Sequence, residues 1–170
     1  MNMPTVTRRL LAALGLSLAA SAFAQSPADA PLPTVQSGRI ERLANLPSKL
    51  VDPRHVDVWL PEGYTPTKRY AVLYMHDGQM LYDARTTWNK QAWQVQDALT
   101  RLRQAGRIRD VIVVGVWNNG KWRHSEYLPQ AFLPRLPADF REQLVREGLQ
   151  GKPQSDAYLR FLVEELKPAI

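Results

Sequence analysis

The sequence predicts an α/β fold built around parallel strands, and three observations carry that expectation. Residues 70–75, Tyr-Ala-Val-Leu-Tyr-Met, form a continuous apolar run that stops at His76-Asp77-Gly78. Residues 111–117 form a second run, rich in valine, that stops at Asn118-Asn119-Gly120. Between them Ala92, Val95, Leu99 and Leu102 recur at i, i+3, i+7 and i+10, one apolar stripe of a helix over 90–105. Apolar, β-branched runs bounded by turn residues fit strands buried on both faces. A strand–helix–strand order then implies parallel pairing through a right-handed crossover.

The remaining elements follow along the chain. Residues 1–24 have the three parts of a secretory signal peptide: a polar start ending in Arg8-Arg9, an apolar run to Phe23, and Ala22-Phe23-Ala24 as the cleavage site. The apolar run of about 14 residues is short of the roughly 20 that span a bilayer. Cleavage after Ala24 is therefore expected, with secretion or periplasmic export and no remaining membrane attachment. It removes two arginines and no acid, so the net charge falls from +6 to +4. The basic residues are scattered rather than striped, which speaks against a nucleic-acid partner. Residues 25–38, with Pro27, Pro31 and Pro33, read as a disordered leader, and 39–170 as the domain.

Residues 39–46 suit an antiparallel edge strand. Its partner is the segment in which Val56, Val58 and Leu60 alternate with His55, Asp57 and Trp59. That alternation predicts a half-buried strand with His55 and Asp57 as a surface pair. Gly106 suits the position just past the central helix. Residues 118–137 are polar and proline-rich. A short helix follows, with Asp139 as N-cap and Glu142 at N3, ending by Gly148 and Gly151. The last helix spans 156–166 behind a Ser155 cap, with Tyr158, Leu159, Phe161, Leu162 and Leu166 on its apolar face and Pro168 as its stop.

The chain has no cysteine, which excludes disulfides, thiolate metal sites and a cysteine nucleophile. His55, His76 and His124 show no metal-ligand spacing, so neither a metal nor a cofactor is expected. In open α/β sheets ligands bind at the carboxyl ends of the strands. That rule selects His76-Asp77-Gly78-Gln79 and Asn118-Asn119. Gly78 permits a sharp turn with exposed N–H groups that can stabilise an oxyanion; the same residues equally make a plain βα turn. His76 suits a structural hydrogen bond across the strand end. The spacing of Asp77 and Asp83 is not that of a calcium loop and fits a carboxylate capping the next segment. Arg123, Glu126 and Tyr127 either line a cleft or fix their loop through an Arg–Glu pair. Trp88, Trp93, Trp117 and Trp122 fall near the same strand ends, where core packing is preferred over binding of an aromatic group.

Two segments are more specific together than apart: Val58-Trp59-Leu60-Pro61-Glu62-Gly63-Tyr64, and Leu73-Tyr74-Met75-His76-Asp77-Gly78-Gln79. With Ile112 to Val116, Asn118, Arg123, Glu126-Tyr127, Pro129, Phe161-Leu162 and Glu164 to Pro168, the chain from about Gly38 onward resembles the putative-esterase branch of the α/β-hydrolases, the feruloyl- and enterochelin-esterase-like proteins. The resemblance implies an α/β-hydrolase-like sandwich, with a mostly parallel sheet and antiparallel N-terminal edge strands. It implies a secreted serine hydrolase acting on small-molecule carboxylic esters. It places Asp77, Gly78, Gln79, Asn118, Arg123 and Glu126 at an oxyanion hole or substrate cleft, the oxyanion contact being a backbone N–H of Asp77 or Gly78. The nucleophile of this fold sits in a G-x-S-x-G elbow. Past the signal peptide the serines are Ser26, Ser37, Ser48, Ser125 and Ser155, none in that motif. The resemblance puts nucleophile, acid and catalytic histidine beyond Ile170. The expectation is thus an N-terminal part of an esterase domain, truncated before the elbow and inactive alone. The alternative is a non-catalytic secreted binding protein that keeps half of the fold.

Overall fold

The computed structural model describes residues 30–170. The signal-peptide segment and residues 25–29 of the leader lie outside them. Four strands form one mixed sheet in the order β1-β2-β4-β3: β1 is Arg39–Leu46, β2 Arg54–Leu60, β3 Ala71–Met75 and β4 Val111–Val116. β1 pairs antiparallel with β2, Arg39 opposite Leu60, and β2 antiparallel with β4, Val56 opposite Val116. β3 and β4 are parallel, Ala71 opposite Val111 and Met75 opposite Gly115. The expected crossover is therefore present, carried by helix α1, Val95–Gln104.

The period-2 alternation of the strands sends their side chains into two clusters. On one face Val56, Val114 and Val116 pack with Val51, Tyr158, Phe161 and Leu166. On the other, Trp59 and Val113 meet Leu81 and Tyr82, backed by Val95 and Leu99 of α1.

Burial departs from the sequence reading in two places, for one reason. β2 is an inner strand with packing on both faces, Tyr158 and Phe161 on one and Leu81 and Tyr82 on the other, and His55 and Asp57 are buried rather than a surface pair. The Asp57 carboxylate accepts both Arg42 Nε at 2.6 Å and Arg42 Nη2 at 2.9 Å, and Trp117 Nε1 at 2.9 Å. His55 Nδ1 accepts the Asn45 N–H at 3.0 Å. β3, expected to be buried on both faces, is the outer strand among the described residues, and Val72 and Leu73 stay 42% and 40% exposed.

The helices also shift. α1 begins at Val95 instead of 90, because Lys90 and Gln94 take left-handed backbone (φ 57° and 52°). Its far end is as expected: Gly106, at φ +67°, donates to Arg103 O while Arg107 N–H reaches Leu102 O, both at 2.9 Å, a Schellman closure. Residues 118–137 fold into short turns around helix α2, Arg123–Tyr127. α3, Ala138–Gln143, is capped by Pro137, with Asp139 inside the first turn and not at the cap. α4, Ser155–Arg160, starts behind Gln154, because the Ser155 Oγ instead accepts the Gln130 N–H. The helix widens into a π-helical turn, Phe161–Leu166, and runs on through α5, Lys167–Ala169, so Pro168 sits within the last turn instead of stopping it. Proline is tolerated there because it opens a new helical segment. Leu159 points away from the core and is exposed.

The leader, expected to be disordered, is docked where the structure describes it. Thr34 N–H donates to Asp83 Oδ2 at 2.9 Å, Ser37 O accepts Trp59 Nε1 at 2.9 Å, and Val35 packs beside Trp59. Among the described residues no helix is long and apolar enough to cross a membrane.

Candidate active-site wall

Parallel pairing of β3 and β4 brings their carboxyl ends side by side, so the chain leaves both strands at one place. The β3 exit turns at Asp77, whose backbone is left-handed (φ 54°, ψ 44°). A non-glycine residue there is strained unless its surroundings hold it. Gly78 then crosses directly over β4: a Cβ on it would lie 2.4 Å from the Gly115 carbonyl oxygen. Only two facing glycines permit that approach. Residues Gly78–Met80 close a 3-10 turn.

Polar side chains lock the two exits together. Asp77 Oδ1 accepts Asn118 Nδ2 and Arg123 Nε, each at 2.8 Å, and Asp77 Oδ2 accepts Arg123 Nη2 at 2.7 Å. This is the bidentate, charge-assisted geometry that fixes both partners. Gln79 Oε1 accepts the Asn118 N–H at 3.1 Å, and Asn118 Oδ1 accepts the Gly120 N–H at 2.9 Å. The Arg123 hydrogen bonds hold the Asp77 carboxyl below its ordinary range, against the opposing effect of burial, with Asn118 assisting. The Asp77 N–H donates to Tyr127 Oη at 3.3 Å, and Arg123 lies 5.1 Å over the Tyr127 ring.

One residue upstream, His76 Nδ1 is 2.9 Å from Tyr158 Oη, the structural bond expected of it. Burial lowers the His76 pKa, partly offset by the nearby Asp77 charge. Burial also raises Tyr127, to about 12, and Tyr158 further still, so both phenols keep their protons.

Five of the six sequence-selected residues are thus brought together: Asp77, Gly78, Gln79, Asn118 and Arg123. Glu126 is elsewhere. It is buried beneath α2 and takes Arg54 in two bonds, at 2.6 and 2.8 Å. The Arg123–Glu126 pair does not form; Arg123 is taken by Asp77 and Glu126 by Arg54. Arg54 and Tyr158 had no signal of their own in the sequence beyond a strand start and a helical stripe. The one hint was a tyrosine among leucines, since a buried phenol usually finds a partner.

The tryptophans divide. Trp117 is half-buried and bonded to Asp57, and Trp122 bonds Asp52 Oδ2 at 2.8 Å. Trp88 and Trp93 are 85% and 52% exposed, against the core role expected of them. They stand on the loop before α1, which turns outward at Lys90 and Gln94. Asp83 does what its position suggested: its carboxylate accepts the Arg85 N–H and caps the turn Ala84–Thr86.

No serine among the described residues is hydrogen-bonded to a histidine. Ser125 Oγ donates to Leu149 O at 2.8 Å, Ser155 Oγ accepts from Gln130, and Ser48 Oγ accepts the Leu50 and Val51 N–H groups. Nor do three His, Asp or Glu side chains among those residues converge as metal ligands would.

A mixed sheet with its polar loops gathered at the ends of parallel strands is the front of an α/β-hydrolase fold. Residues 48–170 match the family model described as "Putative esterase", and the chain belongs to that family. Among solved structures it is similar to an IroE-like serine hydrolase from Shewanella oneidensis, with 25% identity and a TM-score of 0.51, over 78% of this chain and 38% of that one. It is similar to the BES protein from Bacillus cereus, with 18% identity and a TM-score of 0.50, over 82% of this chain and 47% of that one. A ferulic acid esterase from Anaeromyces mucronatus, in complex with ferulic acid, shares 21% identity at a TM-score of 0.47, over 79% of this chain and 43% of that one. The chain therefore spans less than half the length of each of these. No curated protein matches it.

Proposed function

We propose that this protein serves the hydrolysis of small-molecule carboxylic esters by a serine mechanism, and that its share is one wall of the site, the loops after β3 and β4. Membership of the putative esterase family over residues 48–170 carries this reading. The wall's chemistry narrows what it does. The Asp77 N–H is engaged by Tyr127. The Gly78 N–H, first in its turn, has no acceptor within that turn. Of the two candidate donors, Gly78 is therefore the one left for an ester oxygen that gains charge in the transition state. Asn118 and Arg123 hold it in place through Asp77. With no serine–histidine pair among the described residues, residues 25–170 alone are expected to be inactive. We propose too that the protein is exported, on the strength of residues 1–24.

The test uses the polypeptide as its gene encodes it, assayed on p-nitrophenyl butyrate. Turnover abolished by a fluorophosphonate supports the reading. Turnover that survives that reagent overturns it. Residues 25–170 should show neither turnover nor labelling, and a labelled Ser48, Ser125 or Ser155 would contradict the assignment of the wall. A cooperative unfolding transition without turnover from the whole gene product would favour the binding-protein alternative. Sequencing of the exported protein should begin at Gln25; a retained Met1 in the exported fraction would refute signal cleavage.

A further inference from the structure

We propose that Tyr127 and Tyr158 are positioning residues that hold the β3 exit in its left-handed turn, an inference that rests on reading the Asp77–Gln79 loop as part of an ester site. Two consecutive residues leave β3, and each is tied by a different phenol. Tyr158 reaches the His76 ring at Nδ1, 2.9 Å away, and Tyr127 accepts the Asp77 backbone N–H at 3.3 Å. The three rings pack on one another, with centroids 5.0 Å apart for His76–Tyr127, 5.6 Å for His76–Tyr158 and 5.5 Å for Tyr127–Tyr158.

The phenols are themselves fixed. Tyr158 is buried, with the Arg54 guanidinium 5.0 Å over its ring and Phe161 at 6.0 Å. Tyr127 is capped by Arg123. Arg54 in turn is bound to Glu126, the neighbour of Tyr127. The β3 exit is thus clamped between α2 and α4, and Tyr127 also hydrogen-bonds the Asp77 carboxylate. The carboxylate bonds to Arg123 and Asn118 fix the Asp77 side chain. Tyr127 fixes the backbone N–H of Asp77, and Tyr158 fixes the ring of the residue before it. Asp77 takes a left-handed backbone conformation, uncommon outside glycine though aspartate is among the residues that tolerate it, and its rotation would swing the Gly78 N–H off the face where an ester oxygen would sit. Neither tyrosine needs to touch substrate for this.

The test replaces each hydroxyl and keeps each ring. In the full chain, amide hydrogen exchange at Asp77 is expected to be slow in wild type, although Asp77 lies outside every helix and strand. Tyr127→Phe should speed it about tenfold, with the amides of β2 and β4 unchanged, as the loss of one hydrogen bond in a local opening requires. Tyr158→Phe should shift the ring-nitrogen resonances of His76 and speed Asp77 by a smaller factor. In the ester assay of the whole gene product, Tyr127→Phe should lower kcat about tenfold with KM within about twofold, because orientation and not binding is lost. Wild-type exchange at Asp77 in Tyr127→Phe overturns the proposal, as do unchanged His76 resonances in Tyr158→Phe. If both variants fail to fold, an Asp77 amide that exchanges in wild type at the rate of an open loop overturns it instead. Absence of ester turnover would defeat the ester reading alone, because exchange and resonances need no substrate.

Discussion

Replacing Glu126 by Gln removes one negative charge from a site closed to solvent. Side chains of Arg54 and Glu126 are 1% and 0% exposed, and two short bonds join them. Arg54 has one further bond, to Asp52 O at 3.2 Å, while its Nε has no partner. Glu126→Gln therefore strands a guanidinium in the core. Breaking a buried pair from one side costs about 3–5 kcal/mol, a large part of the roughly 5–15 kcal/mol that holds a domain together. With a urea dependence of about 2 kcal/mol per molar, the midpoint should fall by roughly 2 M. The chain's five tryptophans provide the signal for urea unfolding of residues 25–170. The double variant Arg54→Met/Glu126→Leu removes both charges and keeps apolar bulk against Tyr158 and Phe161. It should be more stable than either single variant, since apolar replacement of a buried pair is often neutral or better. A Glu126→Gln midpoint within about 0.3 M of wild type would refute the reasoning, as would a double variant no more stable than the singles.

Three further outcomes are expected. Gly78→Ala places a methyl 2.4 Å from the Gly115 carbonyl and should cost about 1–3 kcal/mol, whereas Gly63→Ala, with open space around it, should cost only the roughly 1 kcal/mol of a left-handed alanine; equal melting temperatures for the two would contradict the close approach. The Asp77 carboxyl is lowered in the fold, so its stabilisation is complete above the unfolded value of about 3.9 and is lost as pH falls through the folded value. Arg123→Met should flatten that acid limb by less than about 1 kcal/mol, because the arginine side chain is 41% exposed, and an unchanged limb in urea titrations would count against the pairing. The His76 ring is also lowered, so the unfolded chain takes up its proton first; stability should be flat above about pH 6.5 and fall below it until the folded value is reached. His76→Gln should remove that slope, and a variant as steep as wild type between pH 7.5 and 5 would rule it out.

Residue pattern alone carried the strands and the crossover. The β-branched runs at 70–75 and 111–117, bounded by turn residues, fitted strands, and the carboxyl-end rule then pointed to Asp77 and Asn118 as candidates. What it could not carry was coverage. β2 alternates and is buried on both faces; β3 is continuously apolar and half open. Hydrophobicity describes a strand's own side chains, whereas burial depends on what packs against each face and on whether the strand is inner, as β2 is, or outer among the described residues, as β3 is. Partners across the fold were equally illegible. Arg123 and Glu126 looked like a local pair, but their partners lie 46 and 72 residues away. Capping was misplaced by two residues at α3 and by one at α4, where the Gln130 N–H takes the Ser155 hydroxyl.

Helix α2 shows why those distant partners matter. It is five residues long, far below the length at which a helix holds together unaided. Its persistence must come from outside. Arg123 reaches Asp77 at the β3 exit, Tyr127 accepts the Asp77 N–H, and Glu126 reaches back to Arg54 on β2. Ser125 donates to Leu149 O, and its own carbonyl accepts the Gln154 N–H at the head of α4. Of the five, only His124 and Arg123 reach solvent to a large extent. A segment so short, with bonds in every direction, acts as a splint: it converts the rigidity of the inner strand β2 into a fixed position for Asp77 at the exit of β3. The Arg54–Glu126 pair therefore supports the site as well as the core, because loosening α2 at Glu126 frees the anchor points of both Arg123 and Tyr127. On this argument Arg54 and Glu126, remote from any substrate, matter to the loop after β3 for the same physical reason that they matter to stability.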